Sequence, residues 1–136
     1  MTEKFTLHKQ LAADTTLVKE LDLCLVLLIN DANYPWTVLV PKRAGATDIH
    51  KLSHDDQIQL VKESSVLSEA METLFKPHKL NVAAIGNIVP QLHIHHVARY
   101  KSDIAWPSPV WGFAEATVYP ADTKEKTIAL LQSVIG

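Results

Sequence analysis

The sequence is poor in cysteine and in clusters of basic residues. Its one cysteine, Cys24, leaves no partner for a disulfide within the chain, which is typical of a reducing compartment. Thirteen Lys and Arg residues against fifteen Asp and Glu residues give a net charge of −2, and no basic run is longer than Lys42-Arg43. Neither a nucleic acid nor an anionic membrane surface is therefore expected as a partner.

Long hydrophobic runs are also missing. The longest, residues 23–29, is far too short to cross a bilayer, and Met1 to Lys4 are not followed by the apolar stretch of a signal peptide. We therefore expect a cytoplasmic protein. The length of 136 residues, a hydrophobic content of 47% and the lack of internal repeats predict a single domain over residues 1–136.

The chain contains the pattern of an antiparallel sheet with helices. Residues 23–29 and 36–40 are two apolar runs separated by turn-forming residues, so they predict a hairpin. Ser53 is a suitable N-cap for a helix with Leu60, Leu67 and Met71 along one side, joined by Ile58, Val61 and Ala70, and Pro77 ends that helix near Lys76. A third strand is predicted over residues 80–85.

The two ends of the chain are harder to interpret. Short helical turns capped by Asp14 or Thr15 are predicted within residues 1–22, and a short strand within residues 114–119. A last helix is predicted to start at Asp122 with a capping box closed by Glu125. The whole order predicts an α+β fold with an antiparallel sheet, a long helix and a C-terminal helix.

The most informative stretch is residues 91–97, in which three of the seven histidines fall within four positions. As a strand, it places Gln91, His93, His95 and Arg99 on one face, and His96 with apolar neighbours on the other. Two imidazoles on one open strand face can act together on an anion or a metal. For His96 we expect a hydrogen-bonded position in the core or in a subunit interface rather than a ligand.

Residues 86–95, Gly-Asn-Ile-Val-Pro-Gln-Leu-His-Ile-His, resemble the signature of the histidine-triad (HIT) superfamily, in which histidines alternate with apolar residues. The hairpin ending in Pro41-Lys42, the helix after it and Trp106-Pro107 occur in the order expected of the family. The resemblance covers roughly residues 20–112. It implies a HIT-like sheet and a homodimer that binds nucleoside monophosphates and acts at the α-phosphorus, without a cofactor.

The resemblance also implies roles for individual residues. His93 matches the nucleophile that forms a nucleotidyl-histidine, and His95 the histidine that donates to phosphate oxygens. Asp31 matches the carboxylate on the ribose hydroxyls, with Asn30 as its alternative, and Asn87 is counted with the nucleotide-binding residues. This chemistry is reasonable in itself, because a neutral imidazole is a good nucleophile near neutral pH.

Two further side chains are candidates at the same site. Arg99 is predicted either as a solvated surface charge or as a further phosphate donor. Trp36 and Trp106 either flank a base or pack in the core or a dimer interface.

Three positions depart from the family pattern. Gln91 replaces the first histidine of the triad, Trp36 replaces another pocket histidine, and Ile88 replaces a serine found in some relatives. Glutamine hydrogen-bonds but does not transfer a proton at neutral pH, so slow or substrate-restricted turnover is expected.

Two alternatives stay open. The protein either catalyses through His93, with Gln91 and His95 arranging the phosphate, or binds nucleotides without efficient catalysis. In a third interpretation the His-X-His pair binds a metal with help from His50, His54 or His78, but the spacing is not a strong metal signature and no metal ligand is predicted.

Overall fold

The computed structural model describes residues 4–135, which form an α+β fold around one five-stranded antiparallel sheet. The strands are β1 (Thr15–Glu20), β2 (Cys24–Ile29), β3 (Trp36–Pro41), β4 (Lys79–Ala84) and β5 (Ile94–Arg99), and the helices are α1 (Lys9–Asp14), α2 (His54–Phe75) and α3 (Ala121–Val134). The order in the sheet is β1-β2-β3-β5-β4, and each neighbouring pair is antiparallel. The predicted fold class is confirmed.

Helices α2 and α3 cover one face of the sheet, where the main core lies. Alternate residues of the strands point into it because successive side chains leave opposite faces of a strand. The members of this core are buried almost completely and include Val26, Leu28, Leu39, Leu60, Leu67, Met71, Ile94, Ala98 and Leu131. The opposite face of β2 and β3, with Leu27, Val38 and Val40, packs against Leu11 of α1.

Helix α2 begins and ends as its sequence predicts. The Ser53 hydroxyl accepts a hydrogen bond from the Asp56 amide, and Lys76, which precedes Pro77, ends the helix in the left-handed region. The helix is fixed to the sheet by the buried carboxylate of Glu63, which accepts from the amides of Leu23 and Cys24 at 2.8 Å each.

Ile58 and Val61, which were expected on the apolar side of this helix, are more than half exposed. The buried side is therefore narrower than the spacing of apolar residues indicates.

Strand β5 lies between β3 and β4 and is buried at every position. The alternation predicted for it is confirmed, because His95 and His96 point to opposite faces, but the expectation of an open face is wrong. His96 is fully buried under α2: its Nδ1–H donates to the carbonyl of Ile94 at 3.1 Å, and its Nε2 accepts from the Ser64 hydroxyl at 2.7 Å.

The two ends of the chain match the prediction in part: α1 is a short helix within residues 1–22, and α3 begins one residue before Asp122. Residues 15–20 form strand β1, not helical turns, and Asp14 ends α1 instead of capping a helix start. The register of β1 shifts between Leu17 and Lys19, so the bulge hides the alternation that would have indicated a strand.

The segment before α3 also differs from the prediction. Residues 115–120 form no strand and are tied instead to the turn after β2, where the Ala32 amide donates to the Thr117 carbonyl. The predicted capping box is also wrong: Pro120 is the N-cap of α3, and the Asp122 carboxylate accepts from the neighbouring Thr123 amide.

Within residues 4–135, no helix is both long enough and apolar enough to cross a membrane.

The burial of His96 predicts that acid destabilises the protein. Burial lowers the pKa of His96 from 6.5 to about 4, so between these values the unfolded chain binds more protons than the folded one, and stability falls as pH falls. From about pH 7 to about pH 5, His96 is expected to remove about 2 kcal/mol from the free energy of unfolding.

Chemical denaturation of the parent and of His96→Gln across this range measures the effect. The amide of glutamine keeps a donor and an acceptor but does not titrate, so the variant should lose that part of the pH dependence. Equal pH dependence in both proteins would contradict the assignment.

Candidate active site

A cavity of about 760 Å³ lies beside the histidines on the face of the sheet opposite α2. Its walls come from α1, from the turn after β2, from the segment between β4 and β5, and from residues 110–116. The lining residues include Leu11, Asp14, Ile29, Asn30, Asp31, Trp36, Asn87, Val89, His93, His95, Val110 and Trp111. The wall is mainly apolar and includes a few polar side chains, as is common in sites for small molecules.

His93 lies one residue before β5 and borders this cavity. It is 8% exposed, and its Nδ1 is 2.7 Å from the backbone carbonyl oxygen of Gln91. A carbonyl only accepts, so Nδ1 carries the proton and the lone pair of the neutral ring is on Nε2. The backbone thus leaves His93 with one nitrogen available for attack on an electrophile.

His95 stands beside His93, with the two ring centroids 4.8 Å apart. Its Nδ1 is 3.0 Å from the indole Nε1 of Trp36. Burial, together with the charges of His93 and His96, lowers the pKa of His95 from 6.5 to about 3. His95 is therefore neutral at physiological pH.

The aromatic rings of Trp36 and Trp111 enclose His95. Trp36 is 5.7 Å from the His95 ring between centroids, Trp111 is 5.2 Å from it, and the two indoles are perpendicular to each other. Trp111 was not among the predicted site residues. Trp106 and Trp111 both lie in the loop after β5, and no pattern in the sequence indicates which of them reaches the site.

Trp106 itself does not reach the cavity. Its ring packs against His78 with centroids 5.2 Å apart, and the Arg99 guanidinium lies 5.6 Å above it. Of the two predicted roles, packing is the one that the structure supports.

Asp31 and Asn30, the predicted ribose-binding residues, both line the cavity. Asp31 is 5% exposed, and its Oδ1 accepts from the amides of Asn33 and Thr117 at 3.0 and 3.1 Å. Residues 4–135 provide no hydrogen bond for its Oδ2, and Asp31 lines the cavity. The Asn30 side-chain oxygen is used by the hydroxyl of Thr16 at 2.9 Å.

Asn87 lines the cavity on an exposed turn. The residue before it, Gly86, has a φ of 71°, a conformation that side chains with a Cβ rarely adopt. Residues 87–89, which follow this turn, line the same cavity as His93.

The side chain of Gln91 does not face the phosphate position that the motif implies. Its Oε1 accepts from the His8 amide at 2.8 Å, and its Nε2 donates to the Thr6 carbonyl at 2.9 Å. Gln91 therefore contributes its backbone carbonyl to the site, whereas its side chain fixes the segment that leads into α1. This contact could not be predicted from a local pattern, because 83 residues separate Gln91 from His8.

Both predictions for Arg99 are wrong. Arg99 is 1% exposed, and its guanidinium makes an ion pair with Asp103 at 2.9 Å. It also donates to Asn81 and to the carbonyl of Ser108 at 2.8 Å each. The carboxylate of Asp103 in turn accepts from backbone amides of the same loop, so this pair shapes residues 100–108 rather than binding phosphate.

The histidines considered as metal ligands lie apart. His50 borders a second cavity of about 140 Å³ on the other side of His93, His54 is exposed at the start of α2, and His78 packs against Trp106. In the described part of the chain, no group of three His, Cys, Asp or Glu side chains is placed to hold a metal ion.

An antiparallel sheet with paired imidazoles at the start of β5 is the arrangement expected of a histidine-triad protein. The family model described as the HIT domain matches residues 10–102, and the chain therefore belongs to the HIT family. A comparison with functionally curated proteins gives no match.

Several solved structures are similar over nearly the whole chain. A histidine triad protein from Marinobacter aquaeolei VT8 is 47% identical, with a TM-score of 0.95 and coverage of 98% of this chain and 97% of the other. One from Bradyrhizobium japonicum is 43% identical, with a TM-score of 0.97 and coverage of 98% and 100%. One from Sinorhizobium meliloti 1021 is 36% identical, with a TM-score of 0.94 and coverage of 96% of both chains.

The two hydrogen bonds of Gln91 predict that its side chain holds the N-terminal wall of the cavity. Gln91→Ala should raise the hydrogen-exchange rate of the His8 amide roughly threefold to tenfold, because each bond contributes on the order of 1 kcal/mol. Gln91→Glu keeps the acceptor for His8 but loses the donor to Thr6, so its effect should be smaller. Amides of α3 are the internal control, and unchanged exchange at His8 in Gln91→Ala would refute the assignment.

Proposed function

We propose that this protein binds a nucleoside monophosphate unit in the cavity and transfers it through a covalent nucleotidyl-His93 intermediate. The observation that carries the proposal is the hydrogen bond from His93 Nδ1 to the Gln91 carbonyl, because it leaves Nε2 of a neutral imidazole as the free nucleophile. Membership of the HIT family, which includes hydrolases and transferases, supports the same chemistry.

The cavity has a suitable group for each part of such a ligand. The α-phosphate would lie between Nε2 of His93 and Nε2 of His95, whose rings are adjacent. The ribose hydroxyls would donate to the free Oδ2 of Asp31. The base would lie against the apolar wall around Leu11, Ile29 and Val89. Burying one aromatic base there is favourable because the wall has few polar groups to desolvate.

The proposed reaction has two steps. In the first, the Nε2 lone pair of His93 forms a bond to the α-phosphorus, and the leaving group departs with the electron pair of its own bond to phosphorus and takes a proton from water. In the second, water attacks the phosphorus, the N–P bond breaks, and its electron pair returns to Nε2. The proton that the attacking water loses neutralises the hydroxide that the first step left. His95 would donate to a phosphoryl oxygen in both steps, which stabilises the charge that develops there.

A second candidate function is nucleotide binding without efficient turnover. One observation favours it: the Gln91 side chain, which replaces the first histidine of the triad, is bound to Thr6 and His8. No side chain from position 91 is then available to protonate a leaving group. Slow or substrate-restricted turnover stays our prediction.

We also propose that the protein is a homodimer. Strand β4 is at the edge of the sheet, and its Val82 is 51% exposed. An uncovered edge strand with an apolar side chain is a suitable surface for a second copy.

Covalent catalysis predicts an adduct on His93. The purified protein is mixed with an adenosine or guanosine phosphoramidate, quenched in mild base and measured by intact mass. The parent should gain the mass of one nucleoside monophosphate less water, and the adduct should decay with time. His93→Ala should form no adduct, whereas His54→Ala, which removes an exposed histidine of α2, should behave as the parent does.

Binding of adenosine monophosphate to the parent and to His93→Ala, measured beside adduct formation and hydrolysis, separates the two candidate functions. If nucleotide binds to the parent and to this variant but the parent gives neither adduct nor hydrolysis, the binding function replaces the catalytic one. If nothing binds to the parent, both candidates are wrong.

The free oxygen of Asp31 predicts a preference for ribose. Asp31→Asn keeps an acceptor for Asn33 and Thr117 but places a donor where the ribose hydroxyls would donate. The parent should bind adenosine monophosphate about ten- to a hundredfold more tightly than its 2′,3′-dideoxy analogue, and the variant should lose this difference. Asp14→Asn, which changes another carboxylate at the same cavity, should keep it; calorimetric titration of both ligands provides the measurement.

A further inference from the structure

The two histidines of the site are held by partners of opposite hydrogen-bonding character. The partner of His93 Nδ1 is a carbonyl, which only accepts, at 2.7 Å. The partner of His95 Nδ1 is an indole N–H, which only donates, at 3.0 Å. A neutral imidazole has one N–H and one lone pair, so each contact determines which nitrogen carries the proton.

We propose that Trp36 is a positioning residue: its indole N–H holds His95 as the neutral tautomer that carries its proton on Nε2. The adjacent rings then present opposite atoms, a lone pair on Nε2 of His93 and an N–H on Nε2 of His95. In the other tautomer, His95 would turn a lone pair toward the phosphoryl oxygens of a bound nucleotide and repel them. The catalytic consequence rests on the proposed function, whereas the assignment of the tautomer does not.

The surroundings of His95 support the assignment. Residues 4–135 provide one hydrogen bond to its ring, the one from Trp36, and His95 lines the cavity, so Nε2 is free for a ligand. Protonation of the ring would bring a second proton against the indole N–H, and burial already disfavours the cation. His95 should therefore keep one tautomer over the pH range in which the protein is folded.

This arrangement also gives a function to a departure from the family pattern. Trp36 occupies the position of another pocket histidine. A histidine there would itself change between donor and acceptor with pH, whereas an indole donates at every pH. Tryptophan at position 36 thus replaces a group that titrates with one that always donates, and this fixes the tautomer of His95.

The direct measurement is the tautomer of each ring by two-bond proton–nitrogen correlation spectra of protein labelled with ¹⁵N-histidine, with signals assigned from His93→Gln and His95→Gln. In the parent we expect a protonated Nε2 and an unprotonated Nδ1 for His95, and the reverse for His93. The His95 pattern should persist at about pH 5, because the pKa of its ring is lowered to about 3.

Trp36→Phe removes the indole N–H but keeps an aromatic ring against His95. The two nitrogen signals of His95 should move toward each other as the tautomers mix, while those of His93 stay unchanged. The matched control is Trp111→Phe, because Trp111 also packs on His95 but its Nε1 has no partner among residues 4–135. This control should leave the His95 tautomer as in the parent.

The outcomes separate this inference from the proposed function, because the spectra require neither ligand nor turnover. A parent His95 with a protonated Nδ1, or unchanged His95 signals in Trp36→Phe, would overturn the inference even if the nucleotidyl adduct forms. If Trp36→Phe does not fold, the parent spectrum alone decides.

Rates of adduct formation test the catalytic consequence. For Trp36→Phe we expect the rate at saturating phosphoramidate to fall about two- to tenfold, as one hydrogen bond that selects the tautomer is lost, with little change in KM. An equal rate would show that the tautomer does not limit transfer.

Discussion

Strand β5 is buried along its whole length, and a polar group buried there requires a hydrogen-bond partner within the protein. The strand carries three such side chains, and each has found a partner on a different element. His95 pairs with Trp36 of β3, His96 with Ser64 of α2, and Arg99 with Asp103 of the following loop. Satisfying these groups fixes the strand against its neighbours on both faces of the sheet.

The same contacts build the cavity. The ion pair of Arg99 shapes the loop after β5, and this loop leads to Val110 and Trp111 in the cavity wall. Gln91, just before the strand, holds the segment that leads into α1 on another side. Two of the segments that enclose the site, the one before α1 and the loop after β5, are thus held by polar groups at or near β5.

How much of this could be predicted depends on the range of the interaction. The period of two along residues 91–97 placed His93 and His95 together and His96 in the core, because alternation is a local property of a strand. The hairpin and α2 were predicted from local signals of the same kind. The partners of Gln91 are not local: its side chain was assigned to phosphate because nothing in the sequence shows that Thr6 and His8 would bind it. Asp103 lies only four residues after Arg99, but its contact depends on the path of an irregular loop that no sequence period describes. The bulge in β1 concealed a strand by breaking its period.

The hydrogen bond between Gln91 and His8 connects residues that are more than eighty positions apart in the chain, so they are synthesised at different times. During synthesis, residues 6–14 emerge long before the strand that holds them. The hydrogen bonds from Lys19 to the Ile135 carbonyl and from Gln132 to the Val18 carbonyl likewise form only after the last helix has been made. Contacts of such long separation form late, because a large loop has to close first. The sheet and α2 can therefore be assembled while the N-terminal wall of the cavity is still free, and this wall is fixed at the end of folding.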